Sequence, residues 1–176
     1  MIADALAGPR VIGMVLLRPG WEHDYHGRPP VYAQGCAGQI EQHEALPEGR
    51  SNIVLRGLTR FRILEEHAGE PYRLAAVVPL ADAAGDEAEI DAARRDVMAA
   101  IGRAADGPHV LVIKPEVPAD VFVNALSQSL DLSAVERQSL LECDGVLERY
   151  RRLLSILDFR QLERARPAGP SEPTVH

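Results

Sequence analysis

The sequence predicts an α+β fold, an antiparallel β-meander in the first half followed by a cluster of helices. Three observations lead there. Between Gly35 and Leu80, apolar-alternating runs are separated by turn-rich gaps. No helix-length segment lies between those runs, so antiparallel pairing is the simplest topology. Beyond Asp86 the apolar period lengthens from two residues to that of a helix. A chain of 176 residues, 46% hydrophobic and 26% charged, has enough material for one domain or two small packed lobes and should be soluble.

The elements follow in order. Ile2–Ala7 reads as a short helical piece stopped by Gly8-Pro9. Val11–Leu17 is a continuous apolar run whose length and Val/Ile content predict a buried strand. Arg18–Pro30 is a loop punctuated by Pro-Gly, Gly and Pro-Pro. Val31–Glu44 returns to strand, Leu46–Gly49 is a turn, and Asn52–Glu65 alternates through Ile53, Leu55, Leu58, Phe61 and Ile63. The step from Leu55 to Leu58 breaks the period of two, and a β-bulge at Gly57 is expected to restore the face. Tyr72–Leu80 is the last strand.

In the second half, Asp86–Ala105 places Ile90, Ala93, Val97, Ala100 and Ile101 on one helical face, with Asp86 and Glu89 as a cap signature. Pro118 opens a helix with the stripe Val121, Phe122, Ala125 and Leu126. Ser133 and Glu136 form a capping box. Asp144 caps the longest helix, whose face is Val146, Leu147, Tyr150, Leu153, Leu154 and Leu157. The Pro-rich polar end is expected to be disordered. These elements divide the chain into a β lobe over 1–82, a helical lobe over 83–162 and a tail over 163–176.

Composition narrows the function classes. A formal net charge of −7 makes nucleic acid a poor general partner, because phosphate binding draws on Lys and Arg. No apolar run approaches the length of a membrane span. Cys36 and Cys143 stand far apart without CxxC partners, so two separate thiols in a cytoplasmic chain are expected and no metal centre is. The sequence has no GxxxxGK[ST] phosphate loop, and its sole lysine, Lys114, has no serine near it in a nucleophile context. No cofactor and no catalytic residue are therefore assigned.

The segment GCAGQIEQHEALPEGRSNIVLRGLTRFRILEE resembles the amino-terminal, substrate-binding domain family of Lon proteases. The matching features are Gly35 and Gly38 before Ile40, the turn Pro47-Glu48-Gly49-Arg50, Leu55-Arg56-Gly57, and Arg60-Phe61-Arg62-Ile63, continued by Tyr72 and the Val-Pro-Leu ending at Leu80. VIGMVLLRPGWE is similar to the preceding strand and loop of stand-alone bacterial members. The resemblance implies a PUA-like antiparallel β-pseudobarrel followed by a small helical bundle. It also implies a role in protein quality control, holding unfolded or extended polypeptide segments. Two other readings stay open beside it: a residual Lon-like peptidase, and RNA binding through the PUA-like sheet. Family members usually begin with further strands carrying Pro-Leu-Phe-Pro-Leu and Pro-Leu-His-Ile-Phe-Glu type segments. This chain starts after them, from a gene start placed too late or as a true short form. A sheet lacking its first strands has open edges, and a homodimer is the expected consequence.

Four residues are candidate peptide contacts. Trp21, the only tryptophan, is either an interface anchor or a plug at the barrel rim. Arg56, Arg60 and Arg62 cluster, with Arg60 and Arg62 on one strand face. They either bind client carboxylates and carbonyls or pair with Glu41, Glu65 or Glu66 across the sheet. His23-Asp24-Tyr25-His26 reads as a solvated loop in preference to a metal site, and His43-Glu44 as neighbours on opposite strand faces.

Overall fold

A computed structural model of the chain describes residues 1–25, 27–67, 71–104 and 117–165. The chain forms two compact units, Met1–Ala81 and Asp82–His176.

The first unit opens with helix α1 (Ile2–Ala7), followed by strands β1 (Val11–Met14), β2 (Gln34–Ala45), β3 (Ser51–His67) and β4 (Leu74–Leu80). They make one antiparallel sheet in the order β1-β2-β3-β4, the expected meander. Short 3-10 turns lie at Trp21–Asp24 and Pro47–Gly49. In the second of these, Glu48 and Gly49 take φ of 63° and 73°, and this left-handed pair reverses the chain between β2 and β3. The β1 run is shorter than expected, and of its four residues only Ile12 is buried. As the first strand of the meander it has a neighbour on one side only, so it does not behave as a buried central strand. Its continuation is one bridge, Leu17 to Val31.

A bulge lies in β3, but at Leu58 and not at Gly57, and it does not restore a single apolar face. Opposite Ala37 and Gly38 of β2, the partner on β3 jumps from Thr59 to Gly57, leaving Leu58 unpaired and 45% exposed. Residues directly opposite each other project from the same face of a sheet. Gly35 faces Phe61 and Ile40 faces Leu55. Gly35 and Ile40 are an odd number of residues apart on β2, so they project from opposite faces. Leu55 and Phe61 must then do the same. The single face expected for Ile53, Leu55, Leu58, Phe61 and Ile63 is thereby split in two, with Leu58 on neither core. Ile12 and Ile40 are buried on one side and Phe61 on the other. On the Phe61 side the ring lies over Gly13 and Gly35, where a Cβ on Gly35 would come within 2.7 Å of it.

The second unit holds α2 (Glu87–Ala104), α3 (Ala119–Ser129), α4 (Ala134–Leu141) and α5 (Val146–Ala165). Its core joins Ala93, Val97 and Ala100 of α2, Phe122, Val123 and Leu126 of α3, Leu140 of α4, and Tyr150, Leu153 and Leu157 of α5. The α3 stripe sits one position off expectation: Val123 is fully buried and Val121 is 51% exposed. Asp86 accepts from the Glu89 amide and caps α2 as expected. Helix α5 continues through Ala165, past the expected start of the tail, and residues 166–176 lie outside the described residues. Arg149, whose charge reads as surface, is buried. Its guanidinium donates to Asn124 Oδ1 and Asp82 Oδ1, each at 3.0 Å. The buried charge is thus paired and hydrogen-bonded, as burial requires.

The α4 capping box is complete: Glu136 N–H donates to Ser133 Oγ, and Ser133 N–H to Glu136 Oε2. Arg160 of α5 closes on the same carboxylate at 2.6 Å. Burial pushes the Glu136 carboxyl upward, but the Ser133 amide and the Arg160 guanidinium outweigh it and hold it below the usual range. A folded value below the unfolded one means the contribution is in place above the unfolded value. It is lost as pH falls through the folded one. Glu136→Gln is expected to cost roughly 0.5–1 kcal/mol near neutral pH and to flatten the loss of stability below about pH 5. Urea melts of both proteins at neutral and acid pH check this; parallel acid limbs would refute it.

Candidate functional site

The four candidate contacts do not converge. The bulge at Leu58 separates the arginines, which their even numbering alone would place on one face. Arg56 lies opposite Gln39, on the Phe61 side. Its guanidinium is taken up locally, by Glu41 at 2.7 Å and Gln39 at 2.8 Å, which is the cross-sheet pairing expected for this cluster. Arg60 and Arg62 lie opposite Cys36 and Gln34 on the other face, side by side as expected. Arg60 is half-buried and reaches the Ala81 carbonyl at 3.5 Å. Arg62 is exposed and has neither a hydrogen bond nor an ion pair among the described residues. Glu66 pairs with Arg73, not with either of them.

Trp21 is half-buried in its 3-10 turn, with its ring 5.5 Å from the exposed Tyr25. The turn is fastened at both flanks. Arg18 donates to the Val31 carbonyl and stacks over Tyr32, and Arg28 donates to the His67 carbonyl. Arg73 donates to the Pro29 carbonyl in a short contact. Trp21 is therefore held on an anchored turn beside Tyr25. His26 lies outside the described residues, and no cluster of three metal-ligating side chains occurs among the described ones.

Sequence reasoning missed the feature that surrounds Arg62. Strand β4 is apolar along its length, yet Leu74, Val77 and Val78 are 43%, 45% and 39% exposed. Its second edge carries no strand among the described residues. Val78 lies directly opposite Arg62 and Leu80 opposite Arg60, so the arginine row and the apolar strand share one face. LAAVVPL gave no warning of it, because a run without a single charge reads as a covered strand.

His43 Nε2 lies 3.1 Å from Ser51 Oγ on the exposed β2–β3 hairpin. Among the described residues no carboxylate bonds the other ring nitrogen; Glu44 accepts from Asn52. An imidazole without an orienting partner, in open water, is a weak base for a serine. Lys114 lies outside the described residues. Cys36 and Cys143 form no disulfide among the described residues; burial pushes the Cys143 thiol upward and away from reactivity. No helix among the described residues is long and apolar enough to cross a membrane.

The architecture is that of an α+β module with a meander and a helical cluster. A family model for the ATP-dependent protease La (LON) substrate-binding domain matches residues 1–158, and the chain belongs to that family. It is 27% identical over 157 residues to a Lon protease of Flavobacterium johnsoniae, covering 85% of this chain and 19% of that protein. It is 30% identical over 168 residues to Lon protease 2 of Herpetosiphon aurantiacus, covering 89% and 20%. The chain thus spans about a fifth of the length of the curated relatives it matches. Among solved structures, the N-terminal domain of the Mycobacterium avium complex Lon protease superposes with a TM-score of 0.57 at 17% identity, over 84% of this chain and 89% of that one. That likeness concerns the fold.

Proposed function

We propose that this chain is a non-catalytic, cytoplasmic module that binds unfolded or extended polypeptide segments. The observation that carries the reading is the exposed apolar strand β4, whose second edge carries no strand among the described residues, in a member of a substrate-binding domain family. An extended client can add to such an edge through main-chain hydrogen bonds and place alternate side chains on the two faces. Trp21, Arg60 and Arg62 are the candidate contacts; Arg56 serves the sheet through Glu41 and Gln39. Two cysteines that form no disulfide among the described residues suit a reducing compartment. The lack of a phosphate loop in the sequence and the unoriented His43 support the non-catalytic part.

The test is fluorescence anisotropy of the full chain with labelled extended peptides and with a reduced, unfolded protein. Saturable binding in the micromolar range is expected, and affinities no tighter than about 1 mM, where contacts are worth only about 4 kcal/mol, would end the reading. Casein turnover that survives purification and is lost in His43→Ala would favour the peptidase alternative instead.

A further inference from the structure

Resting on the reading above, we infer that the β4 edge selects extended segments carrying a carboxylate, and that Arg62 is the selecting residue. The chain as a whole is acidic, with 26 Asp and Glu against 19 Lys and Arg, and some of its exposed arginines find a carboxylate. Arg56, Arg103 and Arg151 do. Arg62, exposed on the face that it shares with Val78, does not among the described residues.

The register says where the client's acid would stand. A strand added beyond β4 lies about two strand spacings from β3, roughly 10 Å, with β4 between them. Across that gap, Arg62 can extend over Val78, laying its methylenes on the apolar surface and its guanidinium toward the new strand. A Glu or Asp of the client opposite Val78, on the same face, meets it from the other side and accepts both N–H groups of the fork. The next row along β4 has the reverse sign. Glu65 lies opposite Ala76 on the same face, exposed and without a hydrogen bond or ion pair among the described residues. It repels an acid placed there and favours a neutral or basic side chain. The edge therefore reads register as well as charge: an acid at the Val78 row, none two residues away. On the opposite face, Val77 and the half-buried Ile63 supply apolar contact.

The experiment compares two labelled extended peptides that differ only by Glu against Gln at a central polar-face position, titrated with the full chain. The wild type is expected to bind the Glu peptide about tenfold tighter, with the advantage shrinking as salt rises. Arg62→Gln should abolish the difference, and Arg62→Glu should invert it in favour of a Lys peptide. Val78→Lys, which charges the edge itself, should weaken both peptides. Arg62 is exposed, so these variants should keep the wild-type circular dichroism and melt. Equal binding of both peptides by the wild type would overturn the inference while leaving the polypeptide-binding reading intact. Failure of either peptide to bind would overturn that reading itself. A concentration-dependent dimer lost in Val78→Lys, with no peptide competition, would assign the edge to a second copy and also overturn the inference.

Discussion

Tyr150→Ala is expected to destabilise the helical unit by about 3–5 kcal/mol, the range for truncating a fully buried aromatic. Tyr150 is 0% exposed and stacks on Phe122, with ring centroids 6.4 Å apart. It packs in the core cluster with Leu153 and Leu157 of its own helix and with Val97 of α2 and Val123 of α3. Its hydroxyl donates to the Ala119 carbonyl at 2.9 Å, and burial pushes its pKa up to about 12, so it remains a donor across the working pH range. Removing the ring leaves a cavity bounded by helices that cannot all close on it. Tyr150→Phe keeps the ring and loses one hydrogen bond, for a cost near 1 kcal/mol. Urea denaturation followed by helical circular dichroism gives both values. A Tyr150→Ala midpoint within error of the Tyr150→Phe one would mean that the ring is not what holds α2, α3 and α5 together.

The second large effect belongs to the sheet. A Cβ on Gly35 would stand 2.5 Å from the Met14 carbonyl oxygen, 2.5 Å from a Val15 methyl and 2.7 Å from the Phe61 ring. Side chains can rotate away, but a backbone carbonyl moves only with its strand. Gly35→Val must therefore part β1 from β2 or evict Phe61, one of the few buried apolar side chains on this sheet. Overpacking of this kind costs about 3 kcal/mol or more. Gly49, where a Cβ would meet nothing, is the control for space, although its positive φ adds strain of its own. Loss of the Trp21 fluorescence transition, or of soluble expression, is the expected result for Gly35→Val. A variant that melts like the parent would show that the approach of β1 to β2 is looser than these distances.

Much of this fold could be read from the residues because the two halves bury their side chains with different periods. Alternation located β2, β3 and β4, and the Ser133–Glu136 box fixed the start of α4. The α5 stripe from Leu147 to Leu157 was legible because Leu and Tyr recur at helical spacing. What escaped was whatever depends on a third dimension. Which residue a bulge extrudes is decided by the partner strand, so the parting of Arg56 from Arg60 and Arg62 could not be seen in β3 alone. Arg149 reads as surface because hydropathy scores an arginine by its charge, while burial depends on Asp82 and Asn124, which are remote in sequence. The exposure of β4 was likewise hidden, since an apolar run predicts burial and says nothing of whether a neighbour arrives.

The Asp82–Arg149 contact also has a bearing on how the protein is made. The two partners are 67 positions apart, and Ala83 forms a parallel bridge with Gly145 in the same place. At a ribosomal pace of 5–20 residues per second, Asp82 leaves the tunnel about 3–13 s before the arginine that neutralises it. The core residues of α2 and α3 spend that interval without α5 to cover them. During translation the second unit is itself a nascent, greasy, extended chain, and whatever shields such chains in the cell must attend to this one before it can attend to others.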